Sequence, residues 1–185
     1  FDKWEDNAPA ARLQELEIDR HMDLNYDLFL DLTPKFNQPP SQLRQDRSAW
    51  HNMKRMSPEQ LAKWRSHYGP KDKAFHEAKL TGKDLVRWKF QRYAKNYLRC
   101  VKGVDESVDN LQKTLKNLGL DKNTIVIYSS DQGFYVGDHG WYDKRWMYDE
   151  SLKMPFIVKW PGVTKPGSRN TDLIQNLDYA ETFLE

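Results

Sequence analysis

Two oxygen-bearing side chains stand side by side at Asp131-Gln132, inside the run Ser129-Ser130-Asp131-Gln132-Gly133. A carboxylate and an amide oxygen are hard ligands. They suit Ca2+ or Mg2+ rather than zinc, with about four or more further oxygens needed from elsewhere. An Asp in such a place also serves as a helix cap or turn former, so the pair alone does not define a site. The next nineteen or so residues add weight. Residues 133–151 place glycines at 133, 137 and 140, which allow tight turns, among Asp138, His139, Trp141, Asp143, Lys144, Arg145, Trp146 and Glu150. A loop of about twenty residues in a compact domain is a functional one, and this mixture of acids, bases and aromatics is a poor connector.

The elements around this loop are readable. Thr124-Ile125-Val126-Ile127-Tyr128 is β-branched and nearly continuous, which predicts a strand covered on both faces, as in an α/β sheet. Asp131 then lies at the carboxyl end of a strand, where ligands gather in open α/β sheets. Phe156-Ile157-Val158-Lys159-Trp160 predicts a second strand, ended by Pro161-Gly162. Upstream, Tyr97, Val101, Val104, Val108, Leu111, Leu115 and Leu118 recur at alternating spacings of four and three, one apolar stripe of a core-facing helix. Leu85, Trp88, Tyr93 and Ala94 extend it back to Asp84, and Gly119 ends it. Helix, short loop and buried strand make half of a βαβ-type unit. Ser57-Pro58-Glu59-Gln60 predicts a capped helix start. That helix is expected to stop at Gly69-Pro70, with His67 near its C-terminus complementing the dipole. Residues 1–56 read as irregular: Ala8–Ile18 is a candidate helix, and Pro34, Pro39 and Pro40 break the chain beyond it into loop. Residues 176–185 open another helix, capped by Asn176 or Asp178.

Composition narrows the function classes. A chain of 185 residues can bury a core as one domain. Its 13% aromatics argue against disorder despite 30% charged residues, and such rings also build sugar-binding clefts. Lys+Arg 29 against Asp+Glu 27 nearly cancel, with no basic block that would serve as a nucleic-acid arm. One Cys excludes an intrachain disulfide framework and a cysteine zinc site; Cys100 reads as a buried small hydrophobe in a helix. No apolar run is long enough for a membrane span, and Phe1-Asp2-Lys3-Trp4 does not begin a signal peptide. His21, His51 and His76 stand outside any motif and read as surface or structural.

Ser129-Asp131-Gln132-Gly133, Gly137-Asp138-His139-Gly140, Asp143-Lys144, Tyr148-Asp149-Glu150-Ser151 and Pro155 together resemble a block of the type I, formylglycine-dependent sulfatases. These belong to the alkaline-phosphatase-like superfamily, and the likeness is to the bacterial glycan-acting branch. It extends less sharply back to Asp84 through Trp88-Lys89, Arg92-Tyr93 and Val104-Asp105-Glu106. The resemblance implies an α/β fold: part of an alkaline-phosphatase-like sandwich, a sheet flanked by helices. It implies that Asp131 and Gln132 ligate one Ca2+ and that Lys144 binds the sulfate ester. His139 would hydrogen-bond substrate or orient the loop, a structural role being equally open. Trp141, Arg145 and Trp146 would form a sugar-binding wall or pack the loop.

The family's Cys/Ser-x-Pro-x-Arg nucleophile block is absent: Cys100 is followed by Val101-Lys102-Gly103. The paired N-terminal Asp ligands, the leaving-group His and the small C-terminal subdomain are missing too. Residues 1–185 are therefore expected to be the central to C-terminal part of a sulfatase catalytic domain, inactive alone and completed by the rest of a parent chain. That parent would hydrolyse sulfate esters on a carbohydrate with a formylglycine nucleophile, and would be periplasmic or secreted. A two-metal phosphatase or phosphodiesterase of the same superfamily, or a non-catalytic binder of sulfated glycans, are the alternatives.

Overall fold

The structure, a computed structural model, describes residues 8–30 and 55–185. The prolines at 34, 39 and 40 and His51 lie outside them. Among the described residues four α-helices and four short strands follow one another: α1 (Pro58–Ala78), α2 (Gly82–Asn117), β1 (Val126–Ser129), β2 (Tyr135–Val136), β3 (Tyr142–Asp143), α3 (Asp149–Leu152), β4 (Phe156–Lys159) and α4 (Asp178–Leu184). The chain divides into two compact units, Phe1–Arg99 with Tyr135–Asp143, and Cys100–Phe134 with Lys144–Glu185.

The first unit is built on the opening half of α2. Lys89, Arg92 and Tyr93 fall at i, i+3 and i+4 and so share one helix face. Lys89 is buried, and its ammonium donates to the carbonyls of Asp19 (3.1 Å) and Met22 (2.8 Å). Loss of solvent lowers its pKa, and Asp19, Asp23 and Asp27 oppose that shift. Arg92 donates through Nε to the Leu28 carbonyl and through Nη2 to Asp72 of α1 at 3.0 Å, a pair almost wholly out of water. Apolar packing fills the space between these bonds: Ile18, Met22 and Leu28 form a buried cluster against Val86, Trp88, Phe90, Tyr93 and Tyr142. The stretch from 8 to 30 holds only a 3-10 turn, Pro9–Leu13, and then extended and turn conformations. The expected helix over 8–18 is absent there because Glu17 pairs with Trp141 and Leu16 accepts from the Tyr142 amide.

Helix α1 begins as predicted. Ser57 accepts from the Gln60 amide and the Gln60 side chain accepts from the Ser57 amide, a complete capping box. It does not stop at Pro70, which lies inside the helix. The reason is tertiary. Tyr68 donates to Asn96 and Asp72 pairs with Arg92, so the turns on either side of the proline are both bonded to α2. His67 consequently sits mid-helix rather than at an end.

In the second unit α2 ends at Asn117 and Gly119 takes a left-handed φ of 70°, as its sequence position predicts. The stripe is less covered than expected. Val101, Val104, Leu111 and Leu118 are exposed, Val108 and Leu115 half-buried, and Cys100 is exposed rather than buried. A period of 3.6 reports that one face is apolar, not that this stretch of chain covers it. The same holds for β1 and β4, which pair antiparallel with Ser129 opposite Phe156. Their apolar runs suggest two covered faces, yet Tyr128, Phe156 and Ile157 are exposed. Among the described residues no helix is long and apolar enough to cross a membrane.

Removing one member of the Arg92–Asp72 pair takes a charge partner from a group almost wholly out of water. Arg92→Ala is expected to cost about 3–5 kcal/mol in urea unfolding, with Asp72→Ala in that background adding little, because the two act as a unit. Asp27 gives a pH signature. Burial, with Asp23 and Asp143 nearby, raises its carboxyl pKa above the ordinary 3.8. The native state then binds this proton more tightly than the unfolded chain does, so stability falls as pH climbs from 3.8 through the raised value. Asp27→Asn is expected to flatten that stretch of the stability–pH curve.

Candidate functional site

The Asp131 loop leaves β1 and is fixed within the second unit at three points. The Gly133 amide donates to the Ser151 carbonyl at 2.7 Å. A methyl placed on Gly133 would lie 2.0 Å from the Glu150 carbonyl oxygen and 2.7 Å from that of Lys153. The loop thus rests directly on the backbone of α3 and the residue after it, an approach that glycine alone permits. Ser130 Oγ donates to the Gln132 carbonyl at 2.9 Å and stands 3.3 Å from Asp131 Oδ1. Asn176 Nδ2 donates to the Asp131 backbone carbonyl at 3.2 Å and approaches Met154 Sδ at 3.6 Å.

Asn176 therefore does not cap α4; Leu177 holds that position without a side-chain cap. Sequence reasoning misses this tether, since no local pattern connects residue 176 with 131. Ser129 Oγ also bonds the Tyr179 hydroxyl at 2.8 Å, and the Tyr179 ring stacks on Phe156 with centroids 5.3 Å apart. Sheet and C-terminal helix together hold the strand end from which the loop departs.

The Asp131 side chain is exposed and Gln132 half-buried. A carboxylate and an amide oxygen on consecutive residues, with their backbones bonded elsewhere, fit a hard cation in donor chemistry. They cover only part of its coordination shell. Among the described residues no three His, Cys, Asp or Glu side chains converge as a metal-holding group. Lys144 and Arg145 are exposed in the same unit, with Trp146 half-buried beside them in sequence.

His139 and Trp141 belong to the first unit. β2 and β3 form a hairpin, Tyr135 opposite Asp143 and Val136 opposite Tyr142, whose connection contains a single 3-10 turn over Asp138–Gly140. His139 takes φ 55°, a left-handed conformation that is costly for a side chain with a Cβ. Its ring lies 5.4 Å from Trp141 and 6.3 Å from Tyr135, so aromatic packing sets where the imidazole sits. Gly137, φ 111°, is pressed onto Phe90 of α2, where an added methyl would meet the ring at 2.4 Å. Trp141 is fully buried, edge-on to a fully buried Tyr135. The sequence leaves Trp141 open between a sugar-binding wall and packing of the loop; here its ring is buried in the hairpin. The Tyr93 hydroxyl of α2 closes the hairpin, donating to the Tyr135 carbonyl (3.0 Å) and accepting from the Asp143 amide (3.2 Å). Burial pushes the Tyr93 phenol up, keeping it protonated and able to donate. Asp143, φ 70°, is held left-handed immediately before Lys144 in the chain.

Comparison with known proteins places these residues among relatives. The family described as N-sulphoglucosamine sulphohydrolase, C-terminal, matches residues 137–185. An N-acetylglucosamine-6-O-sulfatase of Bacteroides thetaiotaomicron is 38% identical across 100% of this chain, which spans 32% of that protein. The human N-acetylglucosamine-6-sulfatase is 36% identical over 83 residues, 44% of this chain and 15% of its own length. A solved structure in complex with its substrate D-glucosamine-2-N,6-O-disulfate superposes with a TM-score of 0.88 at 38% identity. That likeness covers 100% of this chain and 36% of the other. The chain thus spans about a third of the length of the full-length matches, and its α/β fold is that of the solved relative.

Gly133 supplies the test of the loop's geometry. Gly133→Ala must displace the backbone of α3, and is expected to cost at least about 3 kcal/mol, the upper part of the usual overpacking range. Thermal unfolding reads the loss. Gly103→Ala, at a glycine with nothing within 4 Å of an added methyl and, like Gly133, no positive φ, is the control for a methyl added without a clash.

Proposed function

We propose that the chain belongs to the sulfatase family and is the central to C-terminal part of a catalytic domain that hydrolyses sulfate esters on carbohydrate. The class of substrate we propose is a glucosamine-containing saccharide sulfated at the 6-hydroxyl. What supports this is the continuous 38% identity with an N-acetylglucosamine-6-O-sulfatase along the whole chain, the Asp131-to-Pro155 block included.

Within that reading each residue has a task set by its chemistry. Lys144, exposed and carrying a compact ammonium, binds the sulfate ester. Its charge offsets negative charge that grows on the bridging and terminal oxygens as the S–O bond breaks. Arg145 offers a planar fork to anionic or hydroxyl oxygens of the sugar. His139, oriented between Tyr135 and Trp141, hydrogen-bonds substrate; Trp141 serves it from behind. Asp131 and Gln132 would hold Ca2+, which supplies fixed positive charge at the sulfate oxygens. A formylglycine in another part of the parent chain would supply the attacking oxygen, since no Cys/Ser-x-Pro-x-Arg block occurs here. The 185 residues alone are inactive on this reading, and the parent acts in the periplasm or outside the cell.

In the full-length protein, Lys144→Ala is expected to lower turnover of a 6-O-sulfated glucosamine by about 10²–10³-fold, the scale of losing one charge-stabilising donor. Unchanged turnover would remove Lys144 from the site. Chelation should abolish activity and Ca2+ restore it, with Asp131→Ala raising the Ca2+ needed. Two zinc or manganese ions per chain would instead favour a phosphatase or phosphodiesterase.

A further inference from the structure

Tyr68 on α1 is surrounded by cations. The Lys71 ammonium lies 5.5 Å from its ring centroid, the Arg92 guanidinium 4.3 Å and the Arg99 guanidinium 5.9 Å. Arg92 is answered by the buried Asp72. Among the described residues, Lys71, Lys95 and Arg99 make no ion pair with a carboxylate, although exposed lysines elsewhere on these helices do, such as Lys63 with Glu59 and Lys73 with Glu77. Like charges crowd here: Arg99, Arg92 and Lys95 all lower the Lys71 pKa, after loss of solvent as the largest cause. Lys71 Nζ also meets His67 Nε2 at 2.5 Å, a contact in which the imidazole accepts and so is neutral.

The cluster is held in place rather than splayed. Asn96 Oδ1 accepts from both the Tyr68 hydroxyl (2.8 Å) and Arg99 Nη1 (3.0 Å), tying α1 to α2 and fixing the Arg99 guanidinium. Cations ordered in advance lose less freedom when an anion arrives, and an anion relieves the repulsion already present. We propose that Lys71, Lys95 and Arg99 form an accessory docking patch for sulfate groups on parts of a glycan chain other than the residue being hydrolysed. Sulfate oxygens suit both the fork of Arg99 and the point charges of the lysines. A nucleic acid fits less well, because Tyr68 is buried and offers no open ring on which a base could stack. Only the choice of sulfated glycan as the anion rests on the sulfatase reading.

The test uses the full-length protein with two probes, a size-defined heparin octasaccharide and the monosaccharide D-glucosamine-2-N,6-O-disulfate. Titration calorimetry of the triple variant Lys71→Ala/Lys95→Ala/Arg99→Ala is expected to show octasaccharide Kd raised at least tenfold, with a shallower dependence on salt. Its turnover of the monosaccharide should equal that of the parent protein. The charge-preserving Lys71→Arg/Lys95→Arg variant should bind the octasaccharide as the parent does, which separates lost charge from lost folding. Unchanged octasaccharide affinity in the triple variant overturns the proposal, as does tighter binding of a single-stranded DNA of equal charge through the same three residues. If the parent protein turns over no sulfated sugar, the sulfatase reading fails, while the octasaccharide titration still decides whether the patch binds sulfate.

Discussion

A lysine and an arginine on one face of α2 are taken out of water, with a half-buried tyrosine beside them, and their polar atoms must find partners inside the protein. That requirement organises the first unit. An unpaired ammonium or guanidinium at such a depth would cost several kcal/mol, so the backbone around residues 19, 22 and 28 is drawn to them, carbonyl first. Three residues within about one helical turn thereby fix the path of a segment with almost no regular structure of its own. Tyr93, on the same face, does the same for the hairpin. A single hydroxyl closes its open end by serving both a carbonyl and an amide.

Much of the second half of the chain is legible in the sequence because its signals are local. The α2 stripe, the glycine that ends it, and both longer strands lie within two residues of their expected places. The capping box at Ser57 is equally local and is complete to the last bond. The failures share one physical cause. Pro70 reads as the end of α1, but bonds from Tyr68 and Asp72 to another helix outweigh a breaker whose effect is confined to one turn. Trp141 carries the composition of a sugar platform, yet whether a ring faces solvent depends on what the fold lays over it. Asn176 looks like a cap and proves to be a tether to Asp131. Such pairings cannot be read from spacing.

The candidate site shows the same division. The types and order of Asp131, Gln132, His139 and Lys144 are visible at once. Their support is not: Gly133 flush on the backbone of α3, Asp143 in a left-handed turn, His139 braced by two aromatic rings. Each constrains backbone or ring direction rather than adding a reactive atom. The candidate residues are few and the groups that hold them more numerous: Phe90 of α2 and two aromatic rings around the His139 turn in the first unit, and α3 with the segment before α4 around the Asp131 loop in the second.

The Asn176–Asp131 bond joins residues 45 positions apart, and a ribosome makes chain from one end only. At roughly 5–20 residues per second, the Asp131 carbonyl waits about two to nine seconds after synthesis for the amide that secures it. During that interval the loop has emerged, with its acid and its glycines, but lacks its tether. Final shaping of the loop thus waits on a residue that follows it by 45 positions.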